Sequence, residues 1–170
     1  MGLPSSEGTG HEEHIVSIDP LISHPSESTV RLQYGALPYR ITSAGDFEFL
    51  MVTSRRTRRW IIPKGWPMKR TKPAVAAARE AYEEAGVLGT VSADSIGAFI
   101  YEKFLDEKRG SLTCAVRVFP LMVIKQLSTW PESHQRKIRW FTSEEFDHSQ
   151  DNEGLRELVD LFATGRRHHS

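Results

Sequence analysis

Apolar residues come in short runs separated by turn-forming clusters along most of this chain, and the runs change period once. STVRLQYGALPYRI and FEFLMVTSR, parted by TSAGD, predict two strands, and RRWIIPKG predicts a third that ends at Pro63. Pro73 suits a first helical turn, and AVAAAREAYEEA then predicts a helix that Gly86 can cap. IGAFIYEKFL and SLTCAVRVFPLMVIK, joined by the charged turn DEKRG, and QRKIRWFT return to strand patterning before a last helix in NEGLRELVDLFATG. Strands arranged around one central helix predict a single α/β or α+β sandwich. Residues 1–28, with one apolar patch in IVSIDPLI, are expected to be a flexible lead-in. The folded domain is expected over 29–165 and a short tail over 166–170.

The central helix carries the chemistry. At about 100° per residue, Glu80, Glu83 and Glu84 share one arc, while Ala74, Val75, Ala78, Ala81, Tyr82 and Ala85 fall roughly opposite, which predicts an acidic outer face and a packing face. Ala76 and Ala77 lie one turn before the glutamates on nearly the same side and are expected to leave a shallow surface there. Three carboxylates this close repel one another unless a cation neutralises them. Hard oxygen ligands without a neighbouring Cys or His pair favour Mg²⁺ or Mn²⁺ over zinc. Arg79, four residues before Glu83, can hold one carboxylate in place.

Charge changes the picture locally. The 170 residues carry 22 bases and 22 acids, so nothing global draws the chain to nucleic acid or membrane. Between Glu48 and Glu80, however, there is no acid but nine bases: Arg55, Arg56, Arg58, Arg59, Lys64, Lys69, Arg70, Lys72 and Arg79. A metal site beside a cationic rim is what a small-molecule polyphosphate substrate requires. The single cysteine, Cys114, sits in an apolar run and is expected to be a buried, inert thiol. With no membrane-length apolar run and no signal-peptide pattern, a cytoplasmic protein is the expectation.

Gly65, Arg79-Glu80-Ala81, Glu83-Glu84 and Gly86-Val87 together resemble the Nudix box, G-x5-E-x7-R-E-U-x-E-E-x-G-U, over its full span. Two positions depart: the first box glutamate falls at Thr71, and the aliphatic position after Arg-Glu is Ala81. The resemblance implies an α/β/α sandwich with a mixed β-sheet, the box forming loop-helix-loop, and Mg²⁺- or Mn²⁺-dependent hydrolysis of pyrophosphate links. It also implies that Glu83 and Glu84 are the main metal ligands, with Glu80 a third ligand or the base, Arg79 orienting the cluster and the Gly65 carbonyl approaching the metal. A base from outside the box is common in the family, and Glu144, Glu145 and Asp147 are candidates, though an acidic start to a short helix explains them equally.

WIIPKGWPMK and REAYEEAGV look most like the subgroup of diphosphoinositol polyphosphate and diadenosine polyphosphate hydrolases, in which the lysine, here Lys64, contacts phosphate. Arg31, Arg40, Arg55, Arg56, Arg58 and Arg59 are candidates to extend that cationic surface. Trp60 is expected in the core, whereas Trp66 is left open between core and substrate stacking. Two alternatives stand beside the hydrolase reading. One is a Nudix-fold sensor that lost efficient chemistry, with Thr71 as the symptom. The other is an RNA 5′-end pyrophosphohydrolase guided by RRTRRW, disfavoured because no aromatic series alternates with the bases.

Overall fold

A computed structural model describes residues 29–167. The expected lead-in over residues 1–28 and the last three residues of the expected tail lie outside the described residues.

Eight strands form one mixed sheet: β1 (Arg31–Ile41), β2 (Phe47–Thr53), β3 (Trp60–Ile61), β4 (Lys64–Gly65), β5 (Val87–Val91), β6 (Gly97–Asp106), β7 (Gly110–Gln126) and β8 (Ile138–Thr142). The path runs β3-β2-β1-β7-β5, with β4 added to β1, β6 to β7 and β8 to β2. Only the β1–β7 pairing, Arg31 opposite Cys114 through Tyr39 opposite Met122, is parallel. Helix α1 (Pro73–Ala85) covers one face. Helices α2 (Ser143–Ser149) and α3 (Glu153–Arg167) cover the other.

The two faces hold different cores. Beneath α1, Ala77, Ala81 and Ala85 pack on Ala36, Leu50 and Phe119, small residues that let the helix lie close to the sheet. On the other side Tyr39, Phe47, Phe49 and Phe162 form a ring cluster with centroids 5.1–6.1 Å apart. Trp60 packs against this core, and Cys114 is fully buried, both as expected.

α1 follows its sequence signals closely. Pro73 opens it, and Gly86 closes it at φ 66°, donating its N–H to Tyr82 O at 3.0 Å. That left-handed position suits glycine for a second reason: a Cβ there would lie 2.5 Å from the Trp130 ring.

Three expectations need correction. The packing face of α1 is turned toward the acids: Ala76, Ala77 and Glu84 are buried, while Val75 is 51% and Tyr82 36% exposed. Glu80 and Glu84 therefore lie at the edge of the helix–sheet contact, where burial desolvates them, rather than opposite it. The strand expected through RRWIIPKG is shorter and split: β3 ends at Ile61 on β2, and past Pro63, whose carbonyl accepts the Ala36 N–H at 2.9 Å, β4 pairs with β1 instead. Val87–Val91, unassigned from sequence, is strand β5, its apolar pattern interrupted by Gly89 at a register shift.

Candidate active site

β4 is only two residues long, yet it places the chemistry. Neighbouring strand residues point to opposite faces, so Gly65 faces α1 and Lys64 faces the α3 side. A Cβ on Gly65 would meet the Glu80 carboxylate, so with any other residue there Glu80 would have to shift from its observed position. Glu84 Oε2 accepts the Lys64 backbone N–H at 3.3 Å. Gly65, Glu80 and Glu84 are thus brought together.

Glu83 and Glu84 diverge in their partners. Glu83 turns to the helix surface, where Arg79 Nε donates to it at 3.0 Å, the pairing expected from the four-residue spacing. Glu84 turns inward and accepts from Arg136 at 3.1 Å, a partner outside the box. Among the described residues no three His, Cys, Asp or Glu side chains converge as a ready ligand set.

Burial sets the acid–base character. Desolvation raises Glu84 to about 7, against the opposing pull of Arg136 and Lys64. It also raises Glu80, with Glu83 and Glu132 adding repulsion. Lys64 is lowered to about 8, first by burial, the nearby Lys103 and Arg136 outweighing part of the pull of Glu84. In each case the cost of removing charge from water exceeds the attraction of the neighbours.

The loop between β7 and β8 completes the site and was not anticipated. Leu127 N–H donates to Gly86 O at 2.7 Å, Trp130 Nε1–H to Glu84 O at 3.1 Å and Glu132 N–H to Glu83 O at 3.0 Å. These bonds satisfy carbonyls that a helix C-terminus leaves open. Arg136 then bridges Glu84, Glu132 and the Thr53 carbonyl. Glu132 is a fourth carboxylate in this neighbourhood. The sequence signal was faint: one arginine and one glutamate in a polar loop, far from the box in chain order.

The other candidate residues are dispersed. Arg31 stands beside Trp66, its guanidinium 5.5 Å from the ring centroid. Arg55 and Arg58 reach the β7–β8 loop at Gln135, at 3.2 and 3.0 Å, and so hold that loop beside the site. Arg40 pairs with Glu48 and covers the Trp140 ring at 4.1 Å. It lies five residues past Gly35, the partner of Lys64, or about 16 Å along the strand. Glu145 forms a capping box with Thr142 and binds Arg139 at 2.8 Å, and Asp147 faces Arg156 at 4.0 Å. Both serve α2, as does Glu144 in its first turn. Thr71 Oγ1 donates to Lys69 O at 3.3 Å within the loop before α1.

The residues fit a divalent cation on the chemistry of the donors. Glu80 and Glu84 offer carboxylate oxygens held above their ordinary values first by burial and then by neighbouring carboxylates, a repulsion that a cation would offset. The Gly65 backbone has the close access to Glu80 that a shared ligand set needs.

A NUDIX domain model matches residues 35–162. The chain belongs to the Nudix family. Nudix hydrolase 18, mitochondrial, of Arabidopsis thaliana is 31% identical over 134 residues, covering 75% of this chain and 73% of that protein. Nudix hydrolase 21, chloroplastic, of the same plant is 32% identical over 132 residues; the match takes in 75% of this chain and 64% of that protein's length. The diphosphoinositol polyphosphate phosphohydrolase 3-alpha of Mus musculus is 37% identical over 102 residues, 59% of this chain and 57% of that one. In fold, the chain is similar to a C. elegans Ap4A hydrolase binary complex at TM-score 0.59, 23% identity, covering 81% and 98% of the two chains. The α/β/α sandwich with a mixed sheet is therefore the Nudix fold. Family members use divalent metals. No helix among the described residues is long and apolar enough to cross a membrane.

Proposed function

We propose that the protein is a divalent-metal-dependent pyrophosphohydrolase that cleaves a phosphoric anhydride link in a small-molecule polyphosphate. One observation carries this reading: the Gly65 backbone lies against Glu80 while Glu84, on the next helical turn, receives the Lys64 backbone N–H, so β4 and two box carboxylates meet at one place. The names of the similar mouse and plant proteins support it.

Glu80, Glu83, Glu84 and the Gly65 carbonyl would hold Mg²⁺ or Mn²⁺. A bound divalent ion supplies Lewis acidity toward the anhydride oxygens and toward a water. Glu80 is the third ligand or, in place of that role, the base that takes a proton from water, its hold on a proton raised first by burial and then by Glu83 and Glu132. Arg79 fixes Glu83 in orientation, and Arg136 keeps Glu84 from repelling its neighbours. Lys64 supplies positive charge to substrate phosphate. The inositol pyrophosphates and dinucleoside polyphosphates are the substrate groups most in keeping with the PKGW and REAYEEAG wording.

Manganese binding followed by electron paramagnetic resonance tests the site. Wild-type protein is expected to bind Mn²⁺ and Glu83→Gln to bind it at least tenfold more weakly. Equal binding would remove the box carboxylates from the metal site.

A further inference from the structure

The α1 side of the sheet is covered only in part. Tyr34, Arg117 and Ala98 form one row across β1, β7 and β6, and Leu32, Ala115 and Ile100 form the next row toward the start of β1. Tyr34 and Phe119 belong to the core beneath α1, which places both rows on that side. α1 itself lies over β2, β5 and the middle of β1. The rows beyond it stay open, with Leu32 39% and Ile100 58% exposed and Val30, just before β1, exposed beside them. At the α1 end this strip runs into a pocket of about 290 Å³ whose lining includes Pro73, Val75, Val91, Arg117 and Phe119. A contiguous sheet face of Leu, Ile, Val and Ala left to water marks an interaction surface.

Position, reach and charge agree on what covers it. The chain enters β1 through Val30, so the residues before Thr29 emerge at the edge of the strip. From Leu32 to the level of Phe119, the register partner of Ala36, is four residues, or about 13 Å along the strand. The apolar stretch IVSIDPLI, residues 15–22, can extend over roughly 26 Å, and SHPSES, residues 23–28, supplies turn-forming residues for a reversal. Residues 1–30 hold five acids, Glu7, Glu12, Glu13, Asp19 and Glu27, and no Lys or Arg. Residues 31–170 therefore hold all 22 bases against 17 acids, which is 22 less those five. Lys72 and Arg117 border the pocket, and among the described residues neither has a carboxylate within 4.0 Å.

We propose that residues 15–22 fold back in cis over this strip, antiparallel to β1, with Leu21 and Ile22 over Leu32 and Ile100 and the Ile15 end in the pocket beside Val75. Glu12 and Glu13 then meet Lys72 and Arg117. Tethering at Thr29 keeps the segment at an effective concentration that a separate partner of equal affinity lacks. The docked segment closes the open side of β6, an edge strand, and ties it to the start of α1.

Amide hydrogen exchange on the full chain, read by mass spectrometry, tests the docking. Residues 15–22 are expected to exchange at least about tenfold more slowly than residues 2–10, equally at low and high protein concentration. Ile18→Ser/Leu21→Ser is expected to abolish that protection and to speed exchange in β6 while leaving β2 unchanged. Both substitutions lie outside the sheet and its helices, so faster exchange in β6 reports lost contact rather than lost fold. From the other side, Ile100→Ser is expected to release residues 15–22, and Arg117→Gln to weaken their protection severalfold, as added salt should. Wild-type residues 15–22 exchanging as fast as residues 2–10 would overturn the proposal. So would protection that persists in an Ile100→Ser variant of unchanged melting temperature, which would put the segment elsewhere. Protection that grows with protein concentration, together with elution at the size of a dimer, would assign the strip to a second copy and equally overturn docking in cis.

Discussion

Arg136 donates to Glu84 across 3.1 Å with each side chain only 7% exposed, so a residue outside the Nudix box serves as counterion to one inside it. Breaking a buried pair from one side leaves an uncompensated charge, which typically costs about 3–5 kcal/mol. Arg136→Met is expected to destabilise the metal-free protein by that order in urea unfolding. The double variant Arg136→Met/Glu84→Gln is expected to recover much of the loss without recovering activity. Equal destabilisation of single and double variants would mean that Arg136 acts through Thr53 and Glu132 instead.

The same acid gives a pH signature. Its folded-state value, about 7, lies above its unfolded 4.5, so the folded protein retains the proton over that window. Metal-free stability contributed by Glu84 is therefore fully present below about 4.5 and is lost as pH rises toward 7. Lys64 acts in the opposite sense: between about 8 and 10.5 the unfolded chain binds the extra proton, so stability rises with pH there. Thermal melts in chelator across pH 4–10 should show both slopes, and Glu84→Gln should flatten the acidic one. Adding Mg²⁺ should raise the melting temperature more as pH climbs through about 7, because below that value a proton on Glu84 competes with the cation.

Gly65→Ala tests the close approach of strand and carboxylate. The added methyl would meet the Glu80 carboxylate, so Glu80 must move. A displacement of about 1 Å at reacting groups costs on the order of 100-fold in rate. Turnover is expected to fall by that much while circular dichroism stays that of the wild type. Full activity would show that the Glu80 position beside Gly65 is not required for turnover.

Gly86→Ala addresses the joint between α1 and the β7–β8 loop. A non-glycine residue at φ 66° costs about 1–2 kcal/mol, and the methyl would also press on the Trp130 ring. The variant is expected to melt lower and to change the Trp130 fluorescence, read as a difference from Trp130→Phe. Unchanged emission would mean that the loop adjusts without releasing Glu84 O.

How much of this was legible in the sequence depended on range. α1, its Pro73 start and its Gly86 stop follow local rules, as do the long strands β1, β6 and β7. Helical angles put the glutamates on one arc, but could not fix which edge of that arc the sheet would cover; small Ala76 and Ala77 let the helix roll toward its acids. β4 has only Lys64 and Gly65, too few residues for any periodic signal, and it forms because β1 offers partners at Tyr34 and Gly35. Arg136 meets Glu84 across 52 residues, a pairing set by loop geometry alone. Arg55 and Arg58, similarly, reach Gln135 of the β7–β8 loop across 80 and 77 residues, contacts that no local pattern announces.

The most direct test of the central claim is turnover of diadenosine polyphosphates, inositol pyrophosphates, nucleotide sugars and 5′-triphosphate RNA with Mg²⁺, products resolved by ion exchange, for wild type and Glu83→Gln. Cleavage of a small-molecule polyphosphate that chelator abolishes and Glu83→Gln slows by at least about 100-fold is the predicted result. Mg²⁺-dependent binding with no cleavage of any substrate, or equal turnover by Glu83→Gln, would contradict the account.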